Sequence, residues 1–259
     1  MYFSSMLSVV FLGFGNVNRH LCEAFFSSEK IEVLQVYNRT IIELPPSHIS
    51  INFTNEVQKI KKADVYIIGI ADDAISSFSE TLPFSDRLVV HTSGSVLMDS
   101  ISNKNRKGVF YPLQTFSKSR KVNFSEIPIC IEAESESDLK ILQEMGEIIS
   151  EKVVEISSEQ RKKLHLAAVF VNNFVNHLYQ ISEAILEKDS LPFELLKPLI
   201  KETAAKLDTL SPTEAQTGPA KRNDLKTIEN HLYLLTEENY KKLYQQLTKS
   251  IQNAQREEL

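Results

Sequence analysis

Two glycines one residue apart, Gly13 and Gly15, lie in SVVFLGFGNVNRHLCEAFF, where an apolar β-branched run gives way to an amphipathic one. Glycines so placed let the chain turn tightly and bring its backbone close to an anion, which the amides and dipole at the start of the next helix stabilise. That chemistry is dinucleotide pyrophosphate binding, by Gly13, Phe14, Gly15, Asn16 and Val17. A third glycine completes the G-x-G-x-x-G pattern, and Asn18 stands in its place. The third glycine serves helix–strand packing rather than phosphate contact, so the phosphate role survives. Taken alone, the pair of glycines also suits an ordinary strand–turn–helix junction.

About 20 residues after such a loop, a side chain faces the adenosine ribose, and a carboxylate there selects the free 2′-hydroxyl. Counting from position 18 leads to Asn38 in VYNRT, followed by Arg39 and Thr40, with no carboxylate. A guanidinium holds a 2′-phosphate by paired charged hydrogen bonds, and the amide and hydroxyl add donors. The pattern predicts an NADP site. A solvated arginine on an exposed turn is the alternative.

Ligands of an open α/β sheet bind beyond the carboxyl ends of its strands. Ile70, Ala71 and Asp72 end one apolar run, and HTSGS, residues 91–95, ends another. His91 is a candidate proton donor to a reduced carbonyl or imine, although a lone histidine at a strand end also serves as a hydrogen-bonded structural residue. Ser93 and Gly94 are candidate cofactor contacts. Tyr111, Pro112, Gln114 and Thr115, in YPLQTF, are candidates for a substrate wall.

Further on, RKKLHLAAVFVNNFVNHL carries His165, Asn172, Asn173 and Asn176. On a regular helix His165, Asn172 and Asn176 fall within roughly 40° of one another. They read as catalytic candidates, with Asn173 a substrate contact. Amides buried in so apolar a stretch need partners, which a ligand, a loop or a dimer mate can supply. AQTGPAKRND reads as a substrate loop of Gln216, Thr217, Gly218 and Arg222. There Arg222 would hold a carboxylate in two-point fashion with Asp224 orienting it, or else Asp224 caps a helix.

The elements that position these residues are α/β in pattern. LSVVFLGFG, IEVLQVYNRT, KADVYIIGIAD, RLVVHTSG, GVFYPLQTF, IPICIEA and KVVEIS read as strands alternating with amphipathic helices, predicting a doubly wound, mostly parallel sheet of about eight strands. DDAISSFSETL reads as a helix capped by Asp72 or Asp73. From Ser157 onward strand-like runs cease, and the first helix there extends about 30 residues. The predicted domains are 1–156, an α/β nucleotide-binding domain, and 157–259, a helical substrate and dimerisation domain.

The 259 residues are 42% hydrophobic with net charge −5 and contain no dense basic run, which argues against a nucleic-acid partner. Cys22 and Cys130 have neither metal-ligand spacing nor enough partners for a disulfide framework. No apolar run reaches the roughly 20 residues that span a bilayer. The expectation is a soluble, cytoplasmic protein with no metal and no membrane partner.

The segments GFGNVNRHL, YNRT, HTSGSV, GVFYPLQTF, RKKLHLAAVFVNNFVNHL and QTGPAKRND cover nearly the whole chain. The first domain resembles the Rossmann-like NADP-binding domain shared by pyrroline-5-carboxylate reductase, ketopantoate reductase and the deazaflavin-dependent NADP oxidoreductases. The entire chain is similar to a family of oxidoreductases that joins this domain to a C-terminal helical domain of unknown function. The resemblance implies NADP as cofactor and a homodimer paired through the helical domain. Ketopantoate reductase and its relatives carry a lysine four residues before an asparagine on the corresponding helix. Here Ala168, Val169 and Asn172 precede Asn172, Asn173 and Asn176 by four, so that lysine is absent. The expected function is an NADP(H)-dependent oxidoreductase that reduces a small, carboxylated carbonyl or imine compound in an interdomain cleft, with His91 or His165 as proton source. The alternative is a non-catalytic NADP(H)-binding sensor.

Overall fold

The computed structural model describes residues 6–42 and 51–256. The apolar runs form one sheet of eight strands: β1 (Leu7–Leu12), β2 (Ile31–Tyr37), β3 (Asn52–Thr54), β4 (Val65–Ile68), β5 (Leu88–His91), β6 (Arg106–Pro112), β7 (Ile129–Ala133) and β8 (Val153–Glu155). Their order is β3-β2-β1-β4-β5-β6-β7-β8, with β6 and β7 antiparallel and every other pair parallel. β4 and β5 are buried along their whole length, as the central strands of a parallel sheet covered on both faces must be. Sequence periodicity misses β3, whose three residues are too few to show an alternation.

Side chains of β1 alternate between two cores. Val9 and Phe11 pack with Leu21 and Phe25 of α1 (Asn16–Phe26) and with Leu142 and Met145 of α3 (Glu136–Ile149). Val10 and Leu12 face the opposite core with Tyr66, Ile68 and Ile75, the last opening α2 (Ile75–Glu80). Because β2 and β4 flank β1, the chain leaves that strand in opposite directions and opens a crevice at the carboxyl edge, where a ligand can enter. The expected carboxylate cap of α2 is absent: a 3-10 turn (Asp72–Ala74) precedes the helix, Ala74 occupies its cap position, and Asp72 instead accepts the Ser95 hydroxyl.

The second half is helical. α4 (Ser158–Ala168), a π-helical turn (Val169–Phe174) and α5 (Val175–Glu187) follow one another directly. Ser157 and Gln160 start α4 with a reciprocal capping box. α6 (Lys197–Ala205), α7 (Pro212–Ala215), α8 (Leu225–Leu234) and α9 (Glu238–Arg256) complete the chain. Two compact units result, Met1–Val171 and Asn172–Leu259. The division falls within the long helical stretch rather than at Ser157, because Arg161 of α4 is fully buried and ion-paired to Glu132 of β7. No described helix is long and apolar enough to cross a membrane.

The missing third glycine finds its answer on β4. Asn18 is fully buried, its Nδ2 donating to the Gly13 carbonyl at 2.8 Å and the Ile67 carbonyl at 3.1 Å. A Cβ on Gly69, just past β4, would sit 2.3 Å from Asn18 Cγ. The space a third glycine would leave on the helix is thus provided on the neighbouring strand. The substitution Gly69→Ala should cost about 1–3 kcal/mol by overpacking. Part of that loss should return in Gly69→Ala/Asn18→Gly, read as the coupling in a urea double-mutant cycle. Strictly additive effects would contradict the pairing.

His91 ends β5 with no exposure. Its Nδ1 accepts the Ser93 amide at 3.2 Å, and its Nε2 donates to the Leu97 carbonyl at 3.3 Å, which folds residues 92–97 back over the strand end. Burial, aided by the Arg161 charge, pushes the imidazole down to about 4 from its usual 6.5. As pH drops below about 6.5 the unfolded chain takes this proton, while the folded chain resists until about 4. Stability conferred by neutral His91 is therefore intact above that window and declines across it, by about 3 kcal/mol in all. Urea midpoints at pH 7 and pH 4.5 should diverge less in His91→Gln than in the wild type; an equal drop in both would show that His91 does not carry the acid sensitivity.

Candidate functional site

Gly13 leaves β1 at φ +87°, and a Cβ there would lie 2.4 Å from Ile70 Cγ2, so the turn admits only glycine. Gly15 is the cap residue of α1; no side chain closes that helix end and no acidic residue occupies its first turn. The open amides border a cavity of about 380 Å³ lined by residues 13–17, 69–72, Asn38, Thr92 and Ser93. A cavity of about 660 Å³ shares Gly13, Asn38, Ile70 and Ala71 with it and adds Tyr37, Arg39, Thr40, Ser77, Phe78 and Thr81. The rings of Tyr37 and Phe78 stack there at 5.4 Å. Asn38 joins the two cavities: its Oδ1 accepts the Phe14 amide at 3.2 Å, and its Nδ2 donates to the Thr40 carbonyl at 2.9 Å and hydroxyl at 3.1 Å. Arg39 is exposed beside it.

These donors fit NADP. Uncapped amides at a helix N-terminus suit a pyrophosphate, and a guanidinium with neighbouring hydroxyls suits a 2′-phosphate. Every cofactor candidate read from the sequence lines one cavity or the other, except Gly94. Tyr37, Ser77, Phe78, Thr81 and Thr92 were not foreseen. Tyr37 directly precedes the Asn-Arg-Thr motif, whereas Ser77, Phe78 and Thr81 lie on a helix with no motif to mark them.

The loop after β5 rests on a buried polar frame. Arg161 reaches Glu132, the Val96 carbonyl at 2.6 Å and the Ser158 hydroxyl at 3.1 Å. Ser158 in turn donates to Glu132 and accepts the Met98 amide at 3.0 Å. With both ring nitrogens on backbone groups, His91 belongs to this frame and has no nitrogen left for a substrate, which corrects the expectation that it delivers a proton. His165 differs: its Nδ1 lies 3.0 Å from the Tyr111 hydroxyl, and a Cβ on Gly94 would come within 2.4 Å of the same nitrogen. Tyr111, Gly94 and His165 thus converge from β6, the β5 loop and α4.

The remaining candidates fall partly in the first unit and partly in the second. Pro112 pairs with Ile129 in the β6–β7 ladder, and Gln114, exposed beside Thr115, accepts the Thr115 amide at 2.8 Å. Asn172, Asn173 and Asn176 are exposed, so the argument from buried amides does not apply to them. The π-helical turn, closed by i→i+5 bonds, also breaks the regular 100° count that set His165, Asn172 and Asn176 on one face. Gln216 donates to the Thr217 carbonyl at 2.8 Å, Gly218 takes φ +105°, and Arg222 is exposed. Asp224 caps α8 by accepting the Thr227 amide at 3.1 Å and hydroxyl at 2.8 Å, so it is not the orienting partner of Arg222. Burial raises the Cys22 thiol to about 12 and the Cys130 thiol to about 11, and among the described residues no cluster of His, Cys, Asp or Glu is arranged for a metal ion.

Residues 127–251 match the model of a domain of unknown function, DUF2520. No protein with a curated description matches the sequence. A Bacteroides fragilis structure described as a candidate NADP oxidoreductase is 38% identical, with 96% of this chain and 98% of that one covered at a TM-score of 0.86. A reductive aminase from Aspergillus terreus, solved with NADPH and ethyl levulinate, is 13% identical over 98% and 95% of the two chains at TM-score 0.69. The pyrroline carboxylate reductase of Plasmodium falciparum, solved with NADP bound, is 15% identical over 96% and 100% at TM-score 0.59. The glycine loop, the Asn-Arg-Thr turn and the match to the Bacteroides protein along nearly its full length have one reading: the chain belongs to the NADP oxidoreductases that join a Rossmann-like domain to a C-terminal DUF2520 domain.

Proposed function

We propose that the protein is an NADPH-dependent reductase of a small, carboxylated carbonyl or imine compound. The observation that carries this reading is the continuity of the two cavities, which lead from Arg39 and Thr40, past the amides of α1, to Asp72, Thr92 and Ser93 at the carboxyl ends of β4 and β5. A nucleotide with its 2′-phosphate at Arg39 and its pyrophosphate at α1 extends its nicotinamide toward that polar end. When bound, NADPH supplies a hydride. The residues of this chain hold the nucleotide, shape the β5 loop and provide a proton.

The carbonyl or imine class is supported by the fold relatives named above, one a reductive aminase solved with ethyl levulinate and the other a pyrroline carboxylate reductase. The carboxylate preference rests on Arg222, an exposed guanidinium able to hold two carboxylate oxygens at once. Leu195, Leu199, Leu207, Tyr233 and Leu234 are exposed on the second unit, and an apolar surface of that kind supports a homodimer through it.

NADPH oxidation followed at 340 nm against a panel of 2-oxo acids, 4-oxo acids and cyclic imines tests the proposal. The expected result is turnover of at least one carboxylated compound, with Arg222→Ala raising its KM about tenfold or more. NADPH binding without oxidation across the panel is the behaviour of a nucleotide-binding sensor and would overturn the reductase reading.

A further inference from the structure

Tyr111 stands near the end of β6 with its side chain buried, and a buried phenol needs a hydrogen-bond partner. His165 supplies it: Nδ1 lies 3.0 Å from the hydroxyl, and the rings meet edge to face with centroids 6.0 Å apart. Neither side chain is among the residues lining the nucleotide cavity, and the pair approaches it through the loop after β5. Gly94 brings its backbone so near the imidazole that no side chain fits between them, and the preceding residue, Ser93, lines the cavity itself. Asp72, also on that lining, acts electrostatically on the phenol, as do Arg161 of α4 and Cys130 of β7. Burial raises the phenol to about 12, so it holds its proton at neutral pH. No lysine stands four residues before Asn172, Asn173 or Asn176, and His91 is committed to backbone groups. Tyr111 and His165 form a hydrogen-bonded titratable couple next to the loop that carries Ser93.

We infer that Tyr111 donates the proton that completes reduction of the substrate and that His165 returns it. The inference rests on the reductase reading above. When a hydride reaches the carbonyl or imine carbon, the C=O or C=N π pair moves onto the oxygen or nitrogen. That atom takes the proton of Tyr111, whose O–H electrons stay on the phenolate oxygen. Protonated His165 then gives its Nδ1 proton to the phenolate, becomes neutral, and is recharged from solvent. In sum, one hydride from the nicotinamide donor and one proton from water convert C=O to CH–OH, or C=N to CH–NH. Tyr111 is the catalytic residue, and His165 acts through it.

Two readouts test this. In the protein without nucleotide, side-chain ¹⁵N NMR should show the His165 Nδ1 resonance, identified by its loss in His165→Asn, at a different chemical shift in Tyr111→Phe than in the wild type, because the hydrogen bond to the phenol is gone. With a turned-over member of the panel, Tyr111→Phe should lower kcat about 100-fold or more, with KM and the calorimetric NADPH affinity changed less than threefold. His165→Asn should lower kcat in the same way, also without raising KM. If the wild type turns over and Tyr111→Phe keeps its kcat within threefold, the relay is wrong and the reductase reading stands. If NADPH binds but no compound is reduced, both fall. An unmoved His165 Nδ1 chemical shift in Tyr111→Phe would equally overturn the relay.

Discussion

The first-turn amides of α1 stand open at the carboxyl edge of β1, and the rest of the site is arranged around keeping them so. No side chain caps them and no carboxylate competes for them, so their partial positive charge is directed into the cavity that begins at Gly13. For that charge to be useful the helix must lie close to the sheet, and its one awkward residue is Asn18. The polar side chain is tolerated because it ties three carbonyls along β1 and β4 while Gly69 yields the volume it occupies. A departure from the glycine fingerprint thus becomes a staple between helix and sheet.

A second frame supports the opposite wall. The buried Arg161–Glu132 pair is costly to desolvate, and such pairs hold geometry more dependably than they add stability. Here the guanidinium spans α4, β7 and the Val96 carbonyl, and neutral His91 closes the same loop from beneath. The loop carrying Ser93 and Gly94 is thereby fixed between two buried polar anchors. His165 lies one turn beyond Arg161 on α4, so the frame that shapes the loop also sets the imidazole against Tyr111.

Much of this was legible in the residues alone. The alternation of apolar runs and amphipathic segments gave the strands from β1 onward except β3, and the spacing from Gly13 to Asn38–Thr40 gave the nucleotide side, because both depend on local periodicity and on counts along the chain. What escaped depends on which strands become neighbours. Gly69 matters only because β4 lies beside β1. Arg161 sits in a charged RKK run that reads as solvent-facing, yet it is buried because α4 crosses the sheet beside Glu132. The π-helical turn at 169–174 leaves no trace in composition, so a face computed on a regular helix was misdrawn. The sequence left His91 open between proton donor and structural residue, because its two partners are backbone atoms of the turn that follows, and a turn's course is not visible in side-chain types.

The central claim is that this loop and the Asn38–Thr40 turn hold NADP by its phosphates. Calorimetric titration with NADPH and with NADH, each repeated on Arg39→Ala, tests it most directly. Charged hydrogen bonds of about 1.5–3 kcal/mol predict at least a tenfold preference for NADPH in the wild type, erased in the variant with NADH affinity unchanged. Equal affinities in the wild type, or no binding of either nucleotide, would contradict the account.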